Sequence, residues 1–396
     1  MQPSSSGATT SPRMAVVVVC VALFTDMLVY GILIPVLPLL PAVTAAGPSA
    51  TGLLFAAYAA ALVIVTPAAG RVVDRRGPRG PLLGALVGLA CACLLFTVGG
   101  PYWLLLTARA LQGAAAGLSW VAGLSLIAAT VPLQRRGAYL GLAMSMVSVG
   151  VLAGPPLAGW LARLGGHSAP FLFAATLLMI DGALRLAFVR PTPPPDDDPA
   201  TAMDVLWTPG CWPVVALIIT GAAVTSCIEP ILPIQLARAF GVGSTGIGLL
   251  FALLTLVGAC LNPLVGACLP CVSPRALALL GAVAAATGLL LVGTGPSLPV
   301  ITAGLVCLGA AIALLVAPAS ALIGVQGALA TPPAIGGAYS LYNLAYAGGL
   351  IAGPSLSGIL TEWLGFTPAC LAMVSLLALS TAIFTRLPRK LAAMPG

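Results

Sequence analysis

The chain has 396 residues, of which 60% are hydrophobic and 6% are charged, and its formal net charge is +7. A soluble protein has about a quarter of its residues charged, so this composition excludes a soluble globular fold. Thirteen of the sixteen Lys and Arg residues fall at one set of ends of the apolar segments. We therefore expect a lipid bilayer as partner and no nucleic acid.

Twelve apolar segments are long enough to cross the hydrocarbon core as helices. They lie near 14–40, 50–71, 80–99, 102–130, 137–161, 168–189, 213–238, 245–268, 275–295, 298–327, 334–361 and 367–387. The distribution of Lys and Arg predicts that both termini are cytoplasmic, which requires an even number of crossings. These features predict a multi-pass, all-α protein of the cell membrane, or of a vesicle membrane if the protein is eukaryotic.

The first segment carries Asp26 near its centre and Tyr30 one turn later. A carboxylate at mid-membrane is costly, so a functional role is its default interpretation. Burial favours the neutral form of such a group, whereas a nearby cation favours the ionised form. Asp26 is therefore our candidate for a site that exchanges a proton for a cation, and Tyr30 is a candidate for the cavity wall.

The loop after the second segment combines glycines with alternating acid and base: Gly70, Asp74, Arg75, Gly77 and Arg79. Glycines permit a tight turn, and charges of both signs can bridge neighbouring helix ends. A positive-inside loop would explain the arginines but not the aspartate or the glycine spacing. We interpret the loop as a conformational gate whose contacts exist in one state only.

The fourth segment carries Arg109, followed by Gln112 and Gly113. Arg109 lies about seven residues, or about 10 Å, inside the membrane, where a guanidinium needs an acid or several carbonyl partners. We expect it to pair with the acid of the first segment. Tyr58 in the second segment is a further cavity candidate.

The fifth segment contains the glycine–proline run Gly150, Gly154, Pro155 and Gly159, in which the proline bends the helix and the glycines provide a close-packing face. The eleventh segment repeats it at an offset of 199 residues. A proline pair in the first segment recurs in the seventh at an offset of 195. These repeats predict two similar bundles of six helices, 1–189 and 213–396, joined by a cytoplasmic linker, 190–212.

Two other acids fall within apolar segments. Asp181 precedes Arg185 by one helical turn, so we expect a structural i,i+4 pair. Glu229 lies in the outer third of the seventh segment and is a second candidate carboxylate for substrate or protons. In the eleventh segment Tyr342, Asn343 and Tyr346 are cavity candidates, and so is Tyr339.

The chain offers little for enzymatic chemistry. The sequence has one histidine, which lies in a loop and is unfavourable for acid–base catalysis, and it has no Ser/His/Asp set or phosphate loop. Cys268 and Cys271 have no second ligand pair, so we expect no metal site. No cofactor is expected, and a proton gradient would supply the energy.

The loop 70–79, the Arg109–Gln112–Gly113 motif and the fifth-segment run together resemble the signatures of the major facilitator superfamily, and the last of them is typical of its drug/proton antiporters. The resemblance implies two pseudo-symmetric six-helix bundles working by alternating access.

Further matches resemble the vesicular amine transporters: Asp26 with Pro35 and Pro38, 169–172 with 181–183, Glu229-Pro230 with 232–234, and Gly353-Pro354. That family exchanges protons for monoamines or acetylcholine. The resemblance implies that Asp26 contacts the amine and that Glu229 handles substrate or protons. Ala313 and Asn343 stand where the family has acids, Tyr58 replaces its lysine, and Gln235 replaces a tryptophan.

The leading hypothesis is therefore a monomeric, proton-coupled antiporter of small organic cations, either amines or cationic drugs, with Arg109 as charge partner. One alternative is a transporter of neutral or anionic solutes, in which Arg109 and Arg71 would matter more. Another is a non-transporting, receptor-like membrane protein, which would have little reason to retain buried acids.

Overall fold

The computed structural model describes residues 11–166, 168–190, 202–331 and 335–387, and every regular element in those ranges is a helix. The N half contains α1 Pro12–Val36, α2 Pro41–Ala46, α3 Pro48–Arg76, α4 Arg79–Val98, α5 Tyr102–Thr130, α6 Leu133–Gly165 and α7 Ala169–Phe188. The C half contains α9 Cys211–Ser226, α10 Leu232–Phe240, α11 Ser244–Cys268, α12 Pro274–Thr294, α13 Leu298–Leu329, α14 Ile335–Leu364 and α15 Phe366–Phe384.

Eleven helices of the described chain are long and apolar enough to cross a membrane, and α9 with α10 supplies a twelfth crossing. The predicted all-α, twelve-helix membrane fold is confirmed. Successive crossings alternate in direction, so all of them end on one of two sides. We call the side where α1 begins the terminal side and the opposite side the far side.

Residues 191–201 of the predicted linker lie outside the described residues. Its described part contains a short helix, α8 Ala202–Leu206, and α9 begins at Cys211. Beside α8, Thr208 Oγ1 lies 2.5 Å from Gln326 Oε1 of α13. This end of the linker is therefore bound to the C half.

The seventh crossing is interrupted near its middle. Helix α9 ends at Ser226, residues 227–231 form turns, and α10 begins at Leu232. Pro230 and Pro233 explain the interruption, because proline removes a backbone donor and clashes with the preceding turn. The predicted crossing near 213–238 is therefore present, as two helical segments joined by turns. The related first crossing ends its α-helix at Val36 and continues as a 3₁₀ turn, Leu37–Leu39.

Glycines bring equivalent pairs of helices together in the two halves. A Cβ at Gly113 of α5 would overlap the carbonyl oxygen of Tyr58 in α3, and a Cβ at Gly309 of α13 would overlap that of Leu254 in α11. Gly309 lies 196 residues after Gly113, and Leu254 lies 196 residues after Tyr58. The internal repeat seen in the sequence therefore extends to backbone contacts.

A second set of glycines joins the two halves to each other near the far side. A Cβ at Gly52 of α3 would overlap the carbonyl oxygen of Pro354 in α14, and one at Gly248 of α11 would overlap that of Pro155 in α6. Thr245 also donates a hydrogen bond of 2.8 Å to the carbonyl oxygen of Gly159. The halves are thus closed against each other on the far side.

At the terminal side the same helices are less tightly packed. A Cβ at Gly70 of α3 or Gly266 of α11 would meet no atom within 4 Å. A cavity of about 350 Å³ lies beside Gly266, between α11, α13 and α14, and Asn262, Ser320 and Tyr339 contribute its polar lining. The structure therefore represents a state that is closed on the far side.

One polar contact reinforces the far-side closure. Glu362, at the end of α14, accepts a hydrogen bond of 2.9 Å from the backbone N–H of Ser49 in the first turn of α3. The first N–H groups of a helix lack intrahelical partners and carry partial positive charge, so a carboxylate stabilises them. Because α3 and α14 belong to different halves, this contact exists only when the far side is closed.

We expect Glu362→Gln to shift the protein toward far-side opening, since the neutral amide interacts more weakly with the helix end. Distance distributions between spin labels at Ala45 and Gly243, on the far ends of the two halves, would measure the shift. The neighbouring Trp363→Phe is the matched control, because Trp363 is 82% exposed. Unchanged distances in Glu362→Gln would show that the contact has no influence on gating.

Candidate functional site

Arg109 is completely buried in α5 and is held by carbonyls and aromatic rings. Its Nε donates a hydrogen bond of 3.2 Å to the carbonyl oxygen of Leu54, and Nη1 donates one of 2.8 Å to Gln112 Oε1. Its guanidinium carbon lies 5.3, 4.9 and 5.1 Å from the ring centroids of Tyr30, Phe55 and Tyr58. Such cation–π contacts stabilise a desolvated guanidinium.

The predicted pairing of Arg109 with Asp26 was wrong. Among the described residues the sole ion pair is Asp181–Arg185, and no hydrogen bond joins Arg109 to Asp26. The Leu54 carbonyl, the Gln112 side chain and three rings contact the guanidinium instead, and its Nη2 is buried with no hydrogen-bond partner among the described residues. Within this arrangement Gly113 lets α5 approach α3 at Tyr58, which brings Arg109 to the Leu54 carbonyl.

Asp26 lies in α1 with 1% of its surface exposed. One carboxylate oxygen, Oδ2, accepts a hydrogen bond of 3.1 Å from Trp120 Nε1 of α5. The other oxygen, Oδ1, is buried and has no hydrogen-bond partner among the described residues. A buried carboxylate oxygen without a partner is expensive, so Oδ1 is a site where a proton or a cationic donor would be stabilised.

Glu229 is 5% exposed and lies in the turn between α9 and α10. Its Oε2 accepts a hydrogen bond of 2.7 Å from the hydroxyl of Tyr30 in α1. Tyr30 also contacts Tyr58, with ring centroids 5.0 Å apart, and the guanidinium of Arg109. Tyr30 therefore links the carboxylate of Glu229 in the C half to Arg109 in the N half.

The predicted cavity residues separate into two groups. Tyr58 is buried between the charged residues and interacts electrostatically with Asp26, Arg109, Tyr346 and Glu229. The ring of Tyr346 stacks on that of Tyr342, with the ring centroids 6.0 Å apart. Tyr30, Tyr58 and Tyr346, with Tyr342 behind them, thus lie around the acids. Asn343 is exposed, and Tyr339 lines the separate terminal-side cavity.

The remaining motifs are structural in this state. Arg185 donates hydrogen bonds of 3.0 and 2.5 Å to the two carboxylate oxygens of Asp181, as the spacing predicted, and a third of 2.6 Å to the Leu82 carbonyl. Gly150 and Gly154 lie against α1 between Phe24 and Gly31, so the antiporter-type run first of all packs α6 on α1.

The predicted gate is only partly described. Gly77 adopts φ 76° at the end of α3, the left-handed region that favours glycine. Arg75 is exposed and Arg79 is half-buried, while Gly70 has open space around it. The side chain of Asp74 lies outside the described residues. The gating role of this loop stays a prediction.

The buried charges determine which ion can bind at the centre formed by Asp26, Glu229 and Arg109. Five charged side chains are buried within the described chain: Asp26, Arg109, Asp181, Arg185 and Glu229. Asp181 and Arg185 neutralise each other. The two other acids and one arginine leave a net charge of −1 when all are ionised. One proton or one monovalent cation would neutralise this centre.

Sequence reasoning missed two aromatic residues of this site, Phe55 under Arg109 and Trp120 beside Asp26. Aromatic residues in an apolar helix are ordinarily packing residues, and their spacing gave no reason to single them out. The far-side contact glycines Gly52 and Gly248 were also missed. Their separation of 196 residues is close to the offsets of 195 and 199 in the sequence repeats, and this signal was available.

We expect Tyr30→Phe to weaken the junction between the halves. The change removes the hydroxyl that donates to Glu229 but keeps the ring against Arg109. A hydrogen bond to a charged group contributes about 1.5–3 kcal/mol, so a lower melting temperature of the purified protein is expected. Tyr346→Phe is the control, because its hydroxyl has no hydrogen bond to the described residues. Equal melting temperatures for the two variants would contradict the assignment.

Comparison with known proteins shows the family of the chain. The sequence profile of the Major Facilitator Superfamily matches residues 19–225 and 214–394. The chain belongs to this superfamily. A bacterial homologue of the human lysosomal transporter Spinster has the same fold, with a TM-score of 0.81 at 14% identity over 94% of this chain and 96% of that chain.

Among curated proteins the chain is similar to the chromaffin granule amine transporter of Homo sapiens, at 28% identity over 80% of this chain and 61% of that protein. A probable vesicular acetylcholine transporter of Danio rerio is 33% identical over 45% of this chain and 38% of that protein. The MFS-type transporter ppzB of Metarhizium rileyi is 37% identical over 44% and 37%. The chain thus spans at most about three fifths of these relatives' length.

Proposed function

We propose that this transporter exchanges protons for small organic cations, either amines or cationic drugs, and that Asp26 carries the exchange. The observation that supports the proposal most directly is the buried Oδ1 of Asp26, which has no hydrogen-bond partner within the described part of the chain, in a centre of net charge −1. An ionised carboxylate there attracts a cation strongly, because the surrounding dielectric is low. The amine and acetylcholine transporters among the relatives favour the same substrate class.

The exchange follows from charge balance. A guest ammonium at Oδ1 neutralises the centre, and a proton at the same oxygen does so equally. Both forms remove the cost of an uncompensated buried charge while the halves move. The ionised, empty centre retains that cost, so the transporter would cross between its two states preferentially with a proton or a cation bound.

Glu229 would be the second carboxylate of this exchange. It lies on the C half yet is bonded to Tyr30 of the N half, so its surroundings change whenever the halves separate. Arg109 lies beside Tyr30, and its charge offsets one of the two acids. Glu229 would thereby couple occupancy of the centre to the closed far side.

The test is uptake into proteoliposomes with an acidic interior, using the permanently charged cations tetraethylammonium and ethidium. These cations cannot cross lipid as neutral bases, so accumulation requires the protein. Protein-free liposomes and liposomes without a pH gradient are the controls. We expect gradient-driven uptake of the cations. Uptake of glucose or an aryl sulfonate instead, independent of the gradient, would overturn the proposal and support a neutral or anionic substrate.

A further inference from the structure

We propose that Trp120 is a positioning residue for Asp26: its indole N–H occupies Oδ2, so that the proton and the cation compete for the single oxygen Oδ1. This inference rests on the proposed function of Asp26. The two residues come from different helices, α1 and α5, and the hydrogen bond between them measures 3.1 Å. Oδ1 itself is buried and accepts no hydrogen bond from any described residue.

The chemistry of indole makes the assignment specific. Trp Nε1 is a donor only, so it can bond to Oδ2 whether Asp26 is ionised or protonated, provided that the proton sits on Oδ1. A hydroxyl group in its place could donate or accept and would not distinguish the two oxygens. Trp120 therefore determines where on the carboxyl group exchange takes place.

The packing of the ring holds it in this position. Trp120 is partly buried and packs against the cluster of Tyr58, Ala59 and Ala116, to which Leu350 of α14 also belongs. Residues of α3, α5 and α14 thus meet in the cluster against which Trp120 packs. Packing against this cluster and the hydrogen bond to Oδ2 together hold the indole beside Asp26.

Other charges also act on Asp26. The titratable groups that interact with it electrostatically are Asp181 and Arg185 of α7, Tyr58 of α3 and Cys93 of α4. Asp181 and Arg185 form a closed ion pair, and Tyr58 and Cys93 are uncharged in their ordinary forms at neutral pH. Among these side chains Trp120 is the one that donates a hydrogen bond to the carboxylate. Removing it should therefore change the proton affinity of Asp26 without changing the charges nearby.

Trp120→Phe keeps an aromatic ring and removes the donor. Losing a donor that stabilises the ionised carboxylate favours the protonated form, so the pH midpoint of cation uptake should move by about one unit to higher pH. The KM for tetraethylammonium at neutral pH should rise about tenfold, because protons then compete better, while the maximal rate at alkaline pH is retained. Trp103→Phe, on the exposed face of the same helix, should change neither quantity.

A double-mutant cycle separates positioning from packing. In the Asp26→Asn background, where no uptake is expected, Trp120→Phe should leave the pH dependence of thermal stability unchanged, because the two residues act through one bond. A purely structural Trp120 would instead lower the thermal stability equally in both backgrounds without moving the midpoint. That result would overturn the proposal.

Intrinsic fluorescence gives a second readout that does not require the Trp120 variant to fold. The five other tryptophans, 103, 160, 207, 212 and 363, are all exposed, so an emission change on protonation of the centre would come from Trp120. We expect a pH-dependent emission in the wild-type protein that Asp26→Asn abolishes. Persistence of that pH dependence in Asp26→Asn would overturn the proposal.

The roles of Asp26 and Trp120 can be refuted separately. If Asp26→Asn retains gradient-driven uptake, the proposed function of Asp26 is wrong. If Asp26→Asn loses uptake but Trp120→Phe shows the wild-type pH midpoint, the role of Trp120 alone is wrong.

Discussion

Asp26→Asn is expected to abolish uptake of tetraethylammonium driven by a pH gradient while leaving a folded, monodisperse protein. The amide is nearly isosteric with the carboxylate and can still accept from Trp120 Nε1, so packing around α1 is retained. It carries no charge, so the centre loses both its proton acceptor and its counter-ion for a cation. The loss should appear in the rate of uptake and not only in KM.

The control for this prediction is Asp181→Asn. Asp181 is equally buried but is already paired with Arg185. Removing one partner of a buried pair is strongly destabilising, so the control should reduce thermal stability rather than coupling. If Asp26→Asn transports cations with an unchanged pH dependence, Asp26 is not the exchange site.

Glycine variants at contacts between the halves should have a different effect from those at contacts within one half. Gly52→Val and Gly248→Val place a side chain against Pro354 and Pro155 of the opposite half. These contacts form only when the far side is closed, so the protein can avoid the overlap by opening. We expect folded protein that is trapped open on the far side and is inactive in transport. Moving a two-state equilibrium from 1:99 to 99:1 takes about 5.5 kcal/mol, and an overlap with backbone atoms is severe enough for such a shift.

Gly113→Val should instead prevent folding, because its overlap with Tyr58 lies within the N half and persists in every state that keeps this bundle packed. Gly84→Val, where a Cβ would meet nothing within 4 Å, is the neutral control. Spin-label distances at the far side and size-exclusion profiles distinguish the outcomes. Normal closure and transport in Gly52→Val would refute the assignment of α3 and α14 to the far-side gate.

Periodicity and charge location were sufficient to predict the crossings because lipid imposes length and apolarity on every span. The glycine–proline run of α6 was recognisable for a similar reason, since close helix approach demands small residues. The i,i+4 spacing of Asp181 and Arg185 predicted their pair, because one helix fixes both positions.

Contacts between different helices were less accessible from the sequence. Arg109 was expected to pair with an acid, yet a carbonyl of α3, Gln112 and three rings surround it. Several partner sets satisfy a buried guanidinium equally well, and the helix rotations that decide among them depend on packing. The same reasoning applies to Trp120, whose donor role requires knowing which face of α5 meets α1.

The central claim is that one oxygen of Asp26 binds either a proton or an organic cation. Adding tetraethylammonium to purified protein in weakly buffered detergent solution, with a pH indicator, tests this competition without membranes or gradients. The account predicts that cation binding releases protons in wild-type protein and releases none in Asp26→Asn. Cation binding without proton release in the wild type, or equal release from Asp26→Asn, would contradict it.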